Sequence, residues 1–223
     1  MPNKKNEKLL LFDYDGTLAD SAQMIIDGTI EAFNQCGLET PKTEEIKAGI
    51  GQKLDIAMGS YLSPGYKGAL DEVIRHYRAW YVEKDLEGTQ IEPLFANVKP
   101  VLKILHEDGW NLGIATNKSL RGLSRGLLHH QIEKFFSIIM TTDDFTPKPN
   151  KAMGIHALRT LKVKNSQAFM IGDTVYDIKM GKNAKINTVG VTWGYNTEEE
   201  LHKANADYII HDLNELVEML REL

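Results

Sequence analysis

Short apolar runs that stop abruptly at polar or glycine residues, with helix-like stretches between them, constrain this chain more than any other feature. LLLF ends at Asp13; WNLGIA (110–115), FSIIM (136–140), AFMI (168–171) and TVGV (188–191) look alike, and Tyr208 to Ile210 is a shorter sixth run. Runs of this length without polar alternation read as strands buried on both faces. Helical spacing separates them. Val98, Val101, Leu102 and Leu105 share a face, with Asn97 placed to cap the start and Gly109 to end it. Leu120, Leu123, Leu127 and Leu128 repeat the pattern, and Thr197 with Glu200 forms a capping-box pair ahead of a further helix. Strands alternating with helices predict an α/β fold with a parallel sheet covered on both sides.

One region breaks the rhythm. Between Asp20 and Lys84 there is no strand-like run, only amphipathic helical spacing: Met24, Ile26, Ile30 and Phe33 up to Gly37, then Leu70, Val73, Ile74, Tyr77, Trp80 and Tyr81. This predicts a smaller all-helical domain over residues 19–84, inserted after the first strand of a core formed by 1–18 and 85–223. The aromatic stripe at Tyr77, Trp80 and Tyr81 reads as the core of that insertion.

Composition narrows the function classes. The 223 residues carry a formal net charge of −5, which gives no basic surface for nucleic acid. No apolar stretch approaches the roughly 20 residues of a membrane span, and the polar start MPNKKNEK holds no signal-peptide core. The single cysteine, Cys36, excludes an internal disulfide and fits a reducing compartment, so the cytoplasm is the expected location. No P-loop is present, the GIG at Gly49 lacks the strand and third glycine of a dinucleotide fingerprint, and none of the 7 histidines has metal-ligand spacing.

In an open parallel sheet, ligands gather beyond the carboxyl ends of the strands. The residues that follow the runs are therefore the candidates: Asp13-Tyr14-Asp15-Gly16-Thr17 after the first, Thr116, Asn117 and Lys118 after the second, Lys148 between two prolines after the third, and Asp173 and Asp177 after the fourth. Asp13, Asp15 and Asp173 would repel one another unless a cation sat among them, and hard oxygen donors suit Mg²⁺. An ionised Asp13 is a competent nucleophile toward phosphorus, with Asp15 as acid and base. Thr116 and Lys148 would bind the phosphoryl oxygens, and Gly16 would let the backbone turn and bring amides close. Asn117 joins the substrate-binding set as a neighbour of Thr116, and Asp177 divides evenly between the metal site and a charge in the first turn of a helix.

FDYDGTLADS resembles the DxDGT nucleophile motif of the haloacid dehalogenase superfamily. IATNK, the Lys148 of TPKP and GDTVYD are similar to its second, third and fourth motifs, in family order over nearly the whole chain, and TNK, KP and VTWGY resemble its phosphoglycolate phosphatase branch. AKIN at 184–187 departs from the small-residue turn common in relatives. The resemblance implies a helical cap on a Rossmann-like core, Asp13 as nucleophile and Asp15 as acid/base. It further implies a metal held by Asp13, Asp173 and the Asp15 carbonyl with Asp177 in support, and Thr116 and Lys148 as phosphate binders. GIGQKL (49–54) takes the place of a specificity loop, with Lys53 as its basic residue.

The expected reaction is Mg²⁺-dependent hydrolysis of a small phosphorylated metabolite, 2-phosphoglycolate first, through an aspartyl-phosphate. A pyrophosphatase, a nucleotidase and a sugar-phosphate mutase use the same chemistry. A receiver-type phospho-accepting module shares the Asp cluster, Thr and Lys, but needs neither Asp15 nor a helical insertion. A dehalogenase needs no Asp15 either. Neither nucleic acid nor membrane is an expected partner, and the sequence is silent on oligomeric state.

Overall fold

The computed structural model describes residues 7–88 and 92–223. The first residues of the polar MPNKKNEK start and of the 1–18 segment lie outside the described residues, as do 89–91. Six strands form one parallel sheet in the order β3-β2-β1-β4-β5-β6: β1 (Leu9–Phe12), β2 (Asn111–Ala115), β3 (Phe136–Met140), β4 (Ala168–Gly172), β5 (Asn187–Val191) and β6 (Tyr208–Ile210). All six fall on the apolar runs. β1 is central. Leu9 to Phe12 pair with Asn111 to Ile114 on one side and with Ala168 to Ile171 on the other, so all three strands end at one level.

Alternation along β1 sends its side chains to opposite faces. Leu10 and Phe12 pack with helices α5 (Val98–Glu107), α6 (Leu120–His130) and α10 (Leu213–Glu222); Leu9 and Leu11 pack with α7 (Ala152–Leu161) and α8 (Val175–Ala184). Helix α9 (Glu198–Lys203) opens on the expected box, in which the Thr197 hydroxyl accepts the Glu200 N–H and the Glu200 carboxylate accepts the Thr197 N–H. The α5 stripe is buried as its spacing requires, but the cap differs. Asn97 sits in the left-handed region with φ 63° and makes no side-chain cap; its amide reaches Asp212 instead, while Gly109 (φ 84°) ends the helix as expected. On α6 only Leu123 and Leu127 face the core. Leu120, the first residue of the helix, is 45% exposed, and Leu128, one step past the stripe, is 61% exposed.

After β1 come α1 (Ala22–Gln35), α2 (Thr43–Gly49), α3 (Leu54–Tyr61) and α4 (Leu70–Glu87). They form a hydrophobic cluster of their own, with Ala32, Phe33, Met58, Leu62, Val73 and Ile74 at its centre. Gly28 lets α1 approach α4, for a Cβ there would stand 3.0 Å from the Trp80 ring. Helix α4 runs to Glu87, past the expected boundary at 84, because the left-handed Gly88 (φ 65°) is the first residue that ends it. Among the described residues no helix is long and apolar enough to cross a membrane.

Leu102 is wholly buried beneath the sheet, so Leu102→Ala should lower the unfolding free energy by about 2–5 kcal/mol in chemical denaturation. Leu128→Ala, which empties no core space, should change it by no more than about 0.5 kcal/mol.

Candidate active site

The equal ends of β1, β2 and β4 bring the candidates together. The Asp13 N–H donates to the Ile171 carbonyl at 2.9 Å and the Thr116 N–H to the Met140 carbonyl at 3.1 Å, so both residues leave the sheet at its carboxyl edge. Past Asp13 the chain turns tightly, with the Leu18 and Ala19 amides both donating to the Tyr14 carbonyl. Gly16 makes that turn possible. Its φ is 83°, and a Cβ there would strike the Asp173 carboxylate and the Tyr195 ring.

Lys148 is the positive centre. Its fully buried ammonium lies 2.9 Å from Asp13 Oδ2 and 2.6 Å from Asp177 Oδ1. Burial alone would favour the neutral amine, but Asp13 and Asp177 outweigh it and hold the ammonium charged. Its backbone is clamped by Asn117, whose Oδ1 accepts the Lys148 N–H at 2.8 Å and whose Nδ2 donates to the Lys148 carbonyl at 3.2 Å and to the Gly51 carbonyl at 2.8 Å. The Asn117 amide is therefore committed to main chain. Asp177 closes a capping box with Thr174 at the start of α8 and also faces Lys148.

Asp13, Asp173 and Asp177 each present a carboxylate oxygen within 4.8 Å of the others, all buried. Asp173 accepts the Thr17 hydroxyl at 2.8 Å and the Tyr195 N–H at 2.9 Å. Lys148 meets two of these three carboxylates, and Asp173 has no cation against it. Burial, with Asp177 and Asp13 adding to it, drives the Asp173 carboxyl well above the usual range, and burial also raises Asp13 against the pull of Lys148. This donor set fits a hard divalent cation, which would remove the imbalance.

Asp15 is not in that cluster. Its carboxylate turns to Lys118, with Nζ at 2.8 Å, which leaves only its main-chain carbonyl for the metal role the resemblance implies. Asp13, Asp15, Thr116 and Asn117 line one cavity of about 630 Å³ between the sheet edge and the helical segment. Lys53 lines the same cavity, its ammonium 2.8 Å from Asp55. Tyr77 and Tyr81 line it too, so the aromatic stripe is divided: Trp80 is buried against Gly28 while the two tyrosines face the cleft.

A family model described as haloacid dehalogenase-like hydrolase matches residues 10–191. The chain belongs to this family. It is 30% identical over 221 residues to a phosphoglycolate phosphatase of Vibrio parahaemolyticus, covering 96% of each chain. It is also 30% identical over 217 residues to a pyrophosphatase of Anoxybacillus flavithermus, covering 96% of this chain and 97% of that one. The solved structure of a haloacid dehalogenase-like hydrolase from Streptococcus pneumoniae superposes with a TM-score of 0.84 at 26% identity, over 96% of this chain and 99% of that one. The chain is thus a phosphatase-like enzyme of the haloacid dehalogenase family.

The family motifs do not mention three residues that the structure adds to the site. Glu92, fully buried, meets both Lys118 (3.2 Å) and Arg125 (2.9 Å). Tyr195 joins Asp173 to Ser21, donating its N–H to the Asp173 carboxylate and sharing a hydrogen bond between its hydroxyl and that of Ser21. For Tyr195 the VTWGY segment was a signal. For Glu92 and Arg125 there was none, since a lone acid before Pro93 and an arginine on an amphipathic helix read as surface residues.

Gly16→Ala should destabilise the protein by more than Gly37→Ala does. Both place Ala at positive φ, a penalty of about 1–2 kcal/mol, but open space surrounds Gly37 whereas Gly16 faces Asp173. Thermal unfolding of the two variants checks the order.

Proposed function

We propose that this chain is a Mg²⁺-dependent phosphatase that hydrolyses a small phosphomonoester, 2-phosphoglycolate being the first candidate, through an aspartyl-phosphate on Asp13. The observation that supports this most is the meeting of Asp13, Thr116 and a second carboxylate, Asp15, on one cavity, with the buried Lys148 ammonium 2.9 Å from Asp13. In this reading residues 19–84 act as the cap, and a cavity of about 630 Å³ beneath them admits a metabolite but no polymer.

The steps follow from the placement of the side chains. Asp13 Oδ1 accepts the Tyr14 N–H at 2.7 Å, and the Thr116 hydroxyl and Lys148 hold the same carboxylate, so its orientation is set before substrate arrives. One carboxylate oxygen attacks phosphorus as the bond to the leaving oxygen breaks, and Asp15 gives that oxygen a proton. Lys148 and the Thr116 hydroxyl offset the charge on the phosphoryl oxygens. Asp15 then takes a proton from water, which attacks the aspartyl-phosphate, releases inorganic phosphate and restores Asp13. Mg²⁺ held by Asp13, Asp173, the Asp15 carbonyl and, in support, Asp177 would offset phosphoryl charge and keep Asp13 ionised. Asn117 serves by fixing Lys148, and Lys53 from the cap by facing the leaving group.

A second reading, inorganic pyrophosphatase, is favoured by the equal identity to a pyrophosphatase and by Arg78 and Arg121, two arginines that line the cavity. A receiver-type module has no use for Asp15 or the cap and is not favoured.

Purified protein should release phosphate from 2-phosphoglycolate or pyrophosphate only with Mg²⁺, and Asp13→Asn should lower kcat on the order of a thousandfold or more. Full activity in Asp13→Asn overturns the mechanism. Metal binding has its own readout. Mg²⁺ at roughly a hundred times its dissociation constant should add about 2.7 kcal/mol and raise the melting temperature. Asp173→Asn, by removing one of the repelling carboxylates, should melt no lower than wild type without metal and show no rise with it.

A further inference from the structure

Glu92 takes no part in the phosphoryl chemistry, yet its carboxylate is wholly buried and holds two cations. Lys118 Nζ lies 3.2 Å from Oε1 and Arg125 Nη2 lies 2.9 Å from Oε2. The same Lys118 ammonium sits 2.8 Å from Asp15, and Arg125 reaches on to Asp85 at 2.9 Å. Charges therefore alternate from one residue to the next, with all but the buried Glu92 lining the cleft: Asp15, Lys118, Glu92, Arg125, Asp85.

Anchoring the chain at this point does not require the Glu92 side chain. The Glu92 carbonyl lies 2.7 Å from His130 Nε2, and the next carbonyl, of Pro93, accepts the Asp20 N–H at 2.8 Å. A buried carboxylate is costly unless well paired, so its presence calls for another role. Lys118 supplies one. A lysine has a flexible four-carbon stem, and Asp15 alone would leave the ammonium free to swing on it. The second anion at Glu92, together with the Tyr14 and Tyr81 rings at 5.5 and 6.0 Å, limits it to one place.

We infer that Glu92 is a positioning residue for the acid/base step: it pins the Lys118 ammonium, which in turn holds the Asp15 carboxylate in the cleft, and Arg125 fixes the other oxygen of Glu92. The inference rests on the phosphatase reading above. Glu92 touches neither substrate nor the reacting atoms and acts only through Lys118.

Leaving-group dependence separates this role from a structural one. An alkoxide needs the proton from Asp15, whereas para-nitrophenolate departs with little help, and kcat/KM reports the step in which the leaving group departs. Glu92→Gln, in the full chain with Mg²⁺, should lower kcat/KM for an alkyl phosphate such as 2-phosphoglycolate by about tenfold or more. For para-nitrophenyl phosphate the loss should stay within about threefold. Equal losses on both substrates, or no loss on either, overturn the inference. If Glu92→Gln does not fold, Arg125→Gln, which frees Glu92 to rotate, should give the same selective loss in smaller measure, and equal losses there overturn it as well. Wild type that releases phosphate from both substrates while Asp13→Asn releases none keeps the phosphatase reading whatever Glu92→Gln does. Wild type inactive on both overturns that reading and this inference with it.

Discussion

Three buried carboxylates crowded together beside one ammonium are the arrangement on which the rest of the structure depends. Asp13, Asp173 and Asp177 stand within 4.8 Å of one another, with Lys148 against two of them. Nothing in a hydrophobic core favours such a group, and its members come from three loops, after β1, β3 and β4. They meet because β1 pairs with β4 in parallel register, which brings Asp13 and Asp173 out at one edge, while Asn117 beyond β2 holds Lys148 beside them. The excess negative charge is tolerated by directed hydrogen bonds: Thr17 and Tyr195 to Asp173, Thr174 to Asp177, Tyr14 to Asp13. Each donor comes from a loop that would otherwise be free to vary, so the demand for donors also shapes the loops.

That dependence explains what could be read from the sequence. The strands were legible because burial on both faces leaves runs of apolar residues with few alternatives, and each of LLLF, FSIIM and YII became a strand at its expected bounds. The site was legible because its residues follow those runs directly. Asn97 and the α6 leucines were less so. Local spacing suggested a cap and a four-leucine stripe, but a tertiary partner, Asp212, took the Asn97 amide, and the sheet had room for only Leu123 and Leu127. Tyr77 and Tyr81 show the limit of periodicity. It places side chains on a helix face without saying whether that face meets a core or a cavity.

Polar ties from the helical segment end on residues of the site. The Gly51 carbonyl meets Asn117, which clamps Lys148; Asp85 meets Arg125, which meets Glu92. Gly51 itself has φ 90°, and a Cβ there would stand 2.9 Å from Thr174, so the loop rests closely on the start of α8. The glycine-rich loop thus bears on the core through its backbone as well as through Lys53. Movement of the segment would be felt first at the Lys148 and Asp15 sides of the cleft.

The two lysines divide the work that a single cation could not do. Lys148 is wholly buried and clamped by Asn117, with carboxylates on either side; it is placed to hold charge that does not move. Lys118, partly exposed on the cavity wall, holds the carboxylate that must exchange protons with substrate and water. Were Asp15 placed against Lys148, it would add a fourth carboxylate to a cluster already in excess and would be held ionised by the same ammonium as the nucleophile. Separate lysines let one aspartate act as nucleophile while its neighbour, two residues along the same loop, changes protonation. The turn at Gly16, open to glycine alone at that φ and against that carboxylate, lets the loop fold back toward Ala19 and Asp173 directly after Asp15.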